Sequence, residues 1–269
     1  MENKINQEEE ILSKRDFKLK NVLSKSKSQQ PLISIITVVF NGEKYIEDTI
    51  LSVINQTYNN IEYIIIDGGS TDRTLDIIKK YEKDIDFWIS EKDEGIYDAM
   101  NKGLKFCSGE IIGIINSDDY YSDKDVFSKL VEVINHRPGD IYYGNMIIIN
   151  QNKNEVIEKR YTNLKKLYFG MYLNHPSTFV KRSIYMSLGL FDSKNFRIAA
   201  DYDFMLRNFI NKSKFIYVDQ FMVFMRDGGE SIKNINLTKL ETKLVRKKNL
   251  NYFVYTVTNF IKLLGRILK

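Results

Sequence analysis

The stretch Glu110-Ile-Ile-Gly-Ile-Ile-Asn-Ser-Asp-Asp119 changes from an apolar run to a pair of adjacent acids. A short, continuous run rich in isoleucine is typical of a parallel strand that is buried on both faces. Charges beside a buried strand end are costly unless something compensates them. The stretch therefore predicts a central strand of an α/β sheet with a polar site at its carboxyl end.

Two apolar runs earlier in the chain change in the same way. Ile33–Val39 ends at Asn41-Gly42, and Ile61–Ile66 ends at Asp67-Gly-Gly-Ser70. Helical spacing of apolar residues follows each run, and such strand–helix repeats predict a mostly parallel central sheet flanked by helices. Ligands of open α/β sheets bind beyond the carboxyl ends of the strands, so we expect the three polar ends to meet at one site.

The remaining patterns predict further elements of the same mixed α/β domain. A third strand is expected at 85–89, a hairpin over 140–161, and strands within 176–181 and 214–226. Apolar residues at helical spacing predict helices at these positions: 46–54, 71–81, 96–106, from about 122, and about 199–211.

The net charge is distributed unevenly. The 269 residues carry +5 in total, which by itself suggests a nucleic-acid or membrane ligand. Residues 31–231 hold 24 basic and 29 acidic side chains, whereas 232–269 hold nine basic and one acidic. We therefore divide the chain into a polar leader (1–30), an acidic α/β domain (31–231) and a basic helical tail (232–269). The acidic domain argues against a basic binding module for nucleic acid, because phosphate binding needs positive charge on the docking surface.

The composition excludes several kinds of site. Cys107 is the only cysteine and His136 and His175 are the only histidines, so disulfides, cysteine-based zinc sites and multi-histidine metal sites are not expected. The N-terminus lacks the apolar core of a signal peptide, and no apolar run reaches the length of about 18 residues that suggests a membrane span. These features predict a cytoplasmic protein.

Asp118 and Asp119 are candidate metal ligands. Mg²⁺ and Mn²⁺ prefer oxygen ligands, often one or two carboxylates together with phosphate oxygens. A polar N-cap for the helix expected from about residue 122 is an equally good interpretation of the pair. The two residues by themselves leave both alternatives open.

Six segments follow one another in an order and spacing typical of one enzyme family. They are Ser34-Ile-Ile-Thr-Val-Val-Phe-Asn41, Ile65-Ile-Asp-Gly-Gly-Ser-Thr-Asp72, Asp93-Glu-Gly-Ile-Tyr-Asp-Ala-Met-Asn-Lys-Gly103, Gly109-Glu-Ile-Ile-Gly-Ile-Ile-Asn-Ser-Asp-Asp119, His175-Pro-Ser-Thr-Phe179 and Ala199-Ala-Asp-Tyr-Asp-Phe-Met-Leu-Arg207. Together they resemble family 2 glycosyltransferases of the GT-A fold, and the third resembles the bacterial subgroup that builds O-antigen and capsule polysaccharides. The resemblance implies transfer of a sugar from a nucleotide diphosphate, with UDP favoured, to a hydroxyl of a glycan or lipid-linked acceptor.

The resemblance also implies roles for individual residues. The donor nucleotide would be bound by Thr37, Phe40, Asn41, Asp67, Asp93, Asn101 and Asp118. Asp67 would accept a hydrogen bond from the base, although an aspartate here can also serve only to organise the turn with Ser70. Asp119 would bind Mn²⁺ or Mg²⁺, and Asp118 would share the metal or bind ribose. The strict Asp-x-Asp motif of the family has an acid where this chain has Ser117.

Sugar transfer also needs a base for the acceptor hydroxyl. Asp201 and Asp203 enter a predicted helix two residues apart, so they do not share a face, and we expect one to reach the cleft and the other to be structural. The resemblance assigns the base to Asp201, and Asp203 is then expected to cap the helix or pair with Arg207. The reaction implied is a non-processive single displacement with inversion at the anomeric carbon.

Two further segments allow both a functional and a structural role. His175 is either a hydrogen-bonded structural histidine or part of the acceptor or donor site. The segment Arg226-Asp-Gly-Gly-Glu-Ser231 is either a loop that closes over the donor, with Arg226 near the diphosphate, or a plain surface turn.

The tail from Leu250 to Leu268 is rich in aromatic and aliphatic residues, with Lys262 and Arg266 among them. Such a segment suits a helix lying on anionic lipid, which would make the protein peripheral on the inner face of the cell membrane, and docking on the domain or on a second subunit is the alternative. A sugar-nucleotide pyrophosphorylase is the alternative enzyme class. It would need a Gly-rich basic loop after the first strand, which Asn41-Gly-Glu-Lys-Tyr45 matches poorly.

Overall fold

The computed structural model describes residues 30–151 and 155–267, and one sheet of nine strands runs through this part of the chain. The strands are β1 (Ile33–Val39), β2 (Ile61–Asp67), β3 (Phe87–Ser90), β4 (Ile111–Asn116), β5 (Tyr120–Tyr121), β6 (Ile141–Ile149), β7 (Val156–Arg160), β8 (Thr178–Lys181) and β9 (Phe215–Arg226). They lie in the order β3-β2-β1-β4-β8-β6-β9-β5, and β7 pairs with β6. The predicted α/β class is confirmed.

The helices of the described residues cover the sheet and continue beyond it. They are α1 (Ile46–Ile54), α2 (Thr74–Lys80), α3 (Ile96–Phe106), α4 (Val126–His136), α5 (Arg182–Leu188), α6 (Ala200–Ile210), α7 (Glu230–Lys233), α8 (Ile235–Asn249) and α9 (Tyr252–Ile267). Short 3₁₀ turns occupy Leu164–Lys166 and His175–Ser177.

Parallel pairing is concentrated in the N-terminal half of the sheet. β1 pairs in parallel with β2 and β4, and β2 pairs in parallel with β3. In the other half, β8 is antiparallel to both β4 and β6, while β6 is parallel to β9. The hairpin predicted over 140–161 is confirmed as β6 and β7. The expectation of a mostly parallel sheet thus holds for β1 to β4, and the later strands are mixed because short connections such as this hairpin require antiparallel pairing.

Three element boundaries differ from the sequence prediction. The helix expected at 71–81 begins only at Thr74, because Asp72 Oδ1 accepts the Thr74 N–H at 3.0 Å. The third strand begins at Phe87 rather than at residue 85. The helix expected from about 122 begins at Val126, because Tyr120–Tyr121 first pairs with β9. The predicted leader lies, apart from Gln30, outside the described residues.

The register of the central strands brings their polar ends together. Val39 of β1 lies opposite Asp67 of β2, and Val38 lies opposite Asn116 of β4. Parallel strands in this register reach the same edge of the sheet, so the turns that follow them lie side by side. The edge formed by these turns is where an open α/β sheet binds ligands.

Both faces of the central strands are buried, as their continuous apolar sequence predicts. All seven residues of β1 are buried, and alternate side chains pack towards α3 and α6 on one face and towards α1 and α4 on the other. Close packing leaves no room at Gly113 of β4, where an added Cβ would lie 2.6 Å from a ring carbon of Phe179. The small residue lets β8 approach β4.

The first helix of the basic tail packs on the α/β domain. Glu241, Val245 and Arg246 of α8 are buried. The Arg246 guanidinium donates to the carbonyl oxygen of Tyr168 at 2.9 Å and to Thr258 Oγ1 of α9 at 2.8 Å. Residues 235–249 are therefore part of the same packed body as the sheet.

The second helix of the tail presents its apolar face outwards. Its inner side includes Val254, Tyr255 and Thr258, and Lys262 donates to the Phe169 carbonyl oxygen. The outer side carries exposed apolar residues at helical spacing, which we call the outer face of α9: Phe253, Val257, Phe260, Ile261 and Leu264. Among the described residues, no helix combines the length and the hydropathy that crossing a membrane requires.

We predict that Gly113→Ala lowers the free energy of unfolding by about 1–3 kcal/mol, the usual cost of overpacking a dense core. Urea unfolding followed by circular dichroism measures the change. Gly229→Ala is the matched control, because an added Cβ there meets no atom of the described residues within 4 Å. An unchanged midpoint for Gly113→Ala would contradict the close β4–β8 packing.

Candidate active site

Asp67, at the end of β2, organises the first turn of the site. Its buried carboxylate accepts the N–H groups of Gly69 and Ser70 at 3.1 and 3.0 Å, the hydroxyl of Ser90 at 2.6 Å and the hydroxyl of Ser70. Gly69 has a φ of +85°, which glycine adopts without strain. Asp67 therefore organises the turn with Ser70, which is one of the two roles expected from the sequence. Its contact with a nucleotide base stays a prediction.

The turn after β1 leans on the Asp67 turn. The Asn41 N–H donates to Ser70 Oγ at 2.7 Å, and Asn41 Oδ1 accepts the Thr71 N–H at 2.9 Å. Phe40 is 62% exposed, so its ring is open to a ligand. Thr37 lies inside the sheet, fully buried, with its hydroxyl 3.0 Å from the Tyr63 hydroxyl. Phe40 and Asn41 therefore line the edge of the site, and Thr37 lies beneath it.

Asp93 lies directly against the Asp67 turn. A Cβ at Gly68 would come within 2.3 Å of Asp93 Oδ2, so only glycine at 68 lets this carboxylate approach so closely. Asp93 Oδ1 accepts the Gly95 N–H at 2.9 Å just before α3 begins. Burial is the main cause of a raised pKa at Asp93, and the charges of Asp98 and Asp67 add to it. Asp93 thus presents a partly exposed carboxylate beside the first two turns.

Asp118 and Asp119 form the acidic turn after β4. Asp119 Oδ1 accepts the Arg226 N–H at 3.2 Å, and Asp119 Oδ2 lies 3.4 Å from the Asn116 amide. Burial raises the pKa of Asp118, and burial together with the charge of Asp118 raises the pKa of Asp119 well above its ordinary value. The pair lies several residues before α4, whose N-cap is Asp125, so the N-cap interpretation is wrong.

The donor set of this turn fits Mn²⁺ or Mg²⁺ in part. Both ions prefer carboxylate oxygens, and a cation would offset the cost of burying two adjacent acids. In the part of the chain that the structure describes, no group of three or more His, Cys, Asp or Glu side chains could hold a metal ion. Asp118 and Asp119 therefore fit a site that is completed by phosphate oxygens and water.

For Arg226 the sequence left open a place near the donor diphosphate or on a surface turn, and the structure buries it beside the acidic turn. It ends β9 and is buried, with its guanidinium 4.4 Å from the ring centre of Tyr45 and 4.9 Å from that of Tyr120. It donates to the Asp118 carbonyl oxygen at 2.6 Å and to Asp48 Oδ2 at 2.5 Å. Its Nε is buried and has no hydrogen-bond partner among the residues that the structure describes. Arg226 therefore clamps the acidic turn from a strand rather than from a loop.

Asp201 and Asp203 have different environments, as the sequence predicts. Asp203 is fully buried and pairs with Arg207 at 2.9 Å and with Lys248 at 3.0 Å, which confirms the pairing with Arg207. Asp201 is only half-buried, and its Oδ1 lies 2.9 Å from the Tyr97 hydroxyl of α3. Asp201 is thus the acid of the two that a substrate can reach.

Two residues of the predicted motifs, His175 and Asn101, contact Phe191. Burial lowers the pKa of His175, and the charge of Asp201 acts in the opposite direction, which places the two side chains close together. Asn101 of α3 uses both ends of its amide on Phe191, donating to the carbonyl oxygen at 2.8 Å and accepting the N–H at 3.1 Å. In this structure Asn101 holds the segment around residue 191, and its predicted donor contact is untested.

Comparison with known proteins identifies relatives by sequence. The family model described as "Glycosyl transferase family 2" matches residues 34–232. A PGL/p-HBAD biosynthesis glycosyltransferase of Mycobacterium bovis is 29% identical over 188 residues, which cover 67% of this chain and 71% of the relative. An uncharacterised glycosyltransferase of Methanocaldococcus jannaschii is 30% identical over 244 residues, covering 85% and 83%.

Solved structures share the fold at lower identity. Staphylococcus aureus TarS 1–349 superposes with a TM-score of 0.62 at 20% identity, and the alignment covers 79% of this chain but only 64% of TarS 1–349. The mannosyltransferase PcManGT of Pyrobaculum calidifontis, solved with GDP-Man and Mn²⁺, superposes with a TM-score of 0.59 at 14% identity and covers 87% and 71%. With the family match over most of its length, the chain belongs to glycosyl transferase family 2 and has the GT-A fold that its motifs predict.

Proposed function

We propose that this glycosyltransferase moves a sugar from a UDP-sugar to a hydroxyl of a glycan or lipid-linked acceptor, by a metal-dependent, non-processive reaction that inverts the anomeric carbon. The observation that carries the proposal is the charge balance of the acidic turn. The Arg226 guanidinium pairs with the carboxylate of Asp48, and its charge also acts on Asp118 and Asp119. The charge of Lys233 acts on Asp118 as well, so three acids face two cations here. This excess of negative charge supports a divalent cation beside the donor diphosphate.

Asp118 and Asp119 would hold Mn²⁺ or Mg²⁺. When bound, the metal neutralises the charge that develops on the departing diphosphate. Arg226 supports the same turn by fixing its backbone through the Asp118 carbonyl oxygen. A PcManGT structure that contains Mn²⁺ together with a sugar nucleotide gives further support for a metal.

The donor nucleotide would lie over the turns after β1 and β2. Phe40 offers an exposed ring for stacking, and Asn41 and Asp93 offer polar groups at the same edge. Asp67, whose carboxylate shapes the pocket through four hydrogen bonds, would accept the base N–H as predicted, and Asp93 would contact the donor beside it. UDP is favoured by the motif resemblance and by TarS, a structural neighbour solved with UDP-GlcNAc and with UDP.

Asp201 would act as the general base. The acceptor oxygen forms a bond to the anomeric carbon while the bond from that carbon to the diphosphate oxygen breaks, and the acceptor proton passes to the Asp201 carboxylate. The diphosphate leaves with the bonding electron pair. Because nucleophile and leaving group lie on opposite sides of the carbon, one displacement inverts its configuration.

The outer face of α9 supports a location on the inner surface of the cell membrane, where a lipid-linked acceptor of surface-polysaccharide synthesis would be found. Five apolar side chains at helical spacing are exposed on one side of this helix. An exposed apolar helix face suits insertion at the boundary between headgroups and acyl chains.

We predict that UDP-sugars stabilise the protein only in the presence of Mn²⁺ or Mg²⁺. A ligand at about one hundred times its Kd adds about 2.7 kcal/mol to the free energy of unfolding, and a protein of this size gains about 2–4 °C in Tm per kcal/mol. Thermal shift with UDP-, GDP- and dTDP-sugars, each with metal or EDTA, measures the effect. Asp119→Asn should remove the metal-dependent part of the shift. Equal shifts with metal and with EDTA would argue against the metal site.

We predict that Asp201→Asn lowers the rate of sugar transfer by about 10²–10⁴-fold, because the acceptor loses its base, while donor binding is retained. UDP release measures transfer, and thermal shift with UDP and Mn²⁺ measures binding. Asp219→Asn, at an exposed position of β9, is the matched change of charge and should leave both unchanged. Turnover near the normal rate in Asp201→Asn would exclude Asp201 as the base.

We predict that the double variant Phe253→Ser/Phe260→Ser weakens binding to vesicles of phosphatidylglycerol and phosphatidylcholine at least tenfold. Each exposed phenylalanine contributes about 1.5 kcal/mol or more when it leaves water, and 1.4 kcal/mol is about a factor of ten. Co-sedimentation of the full chain measures binding. Met186→Ser is the control, because Met186 is 78% exposed but lies on α5. Equal sedimentation of all three proteins would contradict docking through α9.

A further inference from the structure

Tyr97 belongs to the Gly-Ile-Tyr-Asp segment, and nothing in the proposed function explains it. It lies in the first turn of α3 and is buried. Its hydroxyl lies 2.6 Å from the carbonyl oxygen of Ile198 and 2.9 Å from Oδ1 of Asp201. Burial, together with the charge of Asp201, raises the pKa of Tyr97 well above its ordinary value, so the hydroxyl keeps its single proton, which the two acceptor oxygens share.

The Asp201 carboxylate is held through one of its two oxygens. Within residues 30–151 and 155–267, its hydrogen bonds fall on Oδ1, from the Tyr97 hydroxyl and from the Tyr202 N–H at 2.7 Å. Oδ2 is thereby left for the acceptor proton. A carboxylate fixed at one oxygen keeps its second oxygen in a defined place, which is what proton transfer over a hydrogen-bond distance requires.

Glu241 fixes the backbone that carries this arrangement. It is buried, and its carboxylate accepts three consecutive N–H groups at 2.8–2.9 Å, those of Arg197, Ile198 and Ala199. These groups directly precede α6, whose N-cap Ala199 has no side-chain cap. An acid at a helix N-terminus satisfies N–H groups that lack partners in the helix and interacts favourably with the helix dipole.

Glu241 comes from a part of the chain that the family model does not match. It lies on α8, beyond residue 232, where the match to the family model ends. The carboxylate therefore reaches the base-bearing helix from a part of the chain outside the family match. The contacts form a continuous path, from Glu241 to the Ile198 backbone, from the Ile198 carbonyl oxygen to Tyr97, and from Tyr97 to Asp201.

We propose that Tyr97 and Glu241 are positioning residues for the Asp201 carboxylate, Tyr97 by donating to Oδ1 and Glu241 by anchoring the backbone at Ile198. The inference rests on the proposed role of Asp201 as the base. Within the segment Asp93–Gly103, Tyr97 would then support the base that accepts the proton. Asp93, at the start of the same segment, would contact the sugar donor.

Tyr97→Phe tests this directly, because it removes only the hydroxyl. A hydrogen bond to a charged group is worth about 1.5–3 kcal/mol, so we expect kcat to fall about ten- to one-hundredfold with KM for the donor unchanged. Tyr58→Phe is the matched control. It removes the hydroxyl of a tyrosine that is as buried as Tyr97, and that hydroxyl donates to the Pro31 carbonyl oxygen at 2.5 Å, before β1 and away from Asp201. Its kcat should therefore stay at the wild-type level.

The reaction followed is UDP release from UDP-glucose, UDP-galactose or UDP-N-acetylglucosamine, each assayed separately with Mn²⁺ and with water as acceptor. Glu241→Gln, which keeps an oxygen for two of the three N–H groups, should lower kcat less than Tyr97→Phe does. Tyr97→Phe should cause no further loss in the Asp201→Asn background, since the two residues act as one unit.

The outcomes separate the two proposals. No UDP release from the wild-type protein, or full activity in Asp201→Asn, would overturn the proposed function and the inference with it. An inactive Asp201→Asn together with wild-type kcat in Tyr97→Phe would overturn the positioning role alone. So would a loss of kcat that Tyr58→Phe reproduces, because that result would reflect stability rather than position.

Discussion

The cost of burying carboxylates at the carboxyl edge of the sheet governs the arrangement of the site. A buried carboxylate is tolerated only when hydrogen bonds or opposite charges replace the water it loses. Asp67 is compensated by four donors of its own turn and of Ser90, and Asp203 by Arg207, Lys248 and Asn249. Asp119, equally buried, has the Arg226 N–H and a long contact with an amide, while Asp118 repels it. The first two acids are fully compensated within the protein. Asp119 is less fully compensated, which is why we propose a cation beside it.

The elements that the sequence predicts well are those whose burial follows from local pattern alone. β1, α1 and α3 begin and end where expected, because a strand buried on both faces and a helix with one apolar face have distinctive spacing. β5 has only two residues and exists because Tyr120 and Tyr121 pair with β9, about a hundred residues later in the chain. The position of Arg226 has the same origin, since it meets Asp48 and Asp118 across the whole domain. Contacts at such separations leave no periodic signal.

The side chains of the candidate site also differ in how well the sequence predicts them. The sequence places Asn41, Asp67 and Asp119 after strands, and the register of β1, β2 and β4 brings those turns together. Which polar groups remain available to a ligand is decided by tertiary contacts. Thr37 reaches Tyr63 and Asn101 reaches Phe191, so both are engaged within the protein. A motif therefore identifies the neighbourhood of a site more reliably than the role of each of its members.

The basic tail shows why charge along the chain differs from charge on the surface. Its only acid, Glu241, is buried against three backbone N–H groups, and Lys248 pairs with Asp192 and Asp203 of the domain. The exposed charges of α8 that remain include Lys239, Lys243 and Lys247, which recur every four residues and so lie along one side of the helix. On α8, Glu241 is thus buried against the backbone that precedes the helix of Asp201, while a row of lysines faces the solvent. Because both functions depend on the same packing of α8, a change that loosens this helix is expected to disturb the position of Asp201 and the basic surface together.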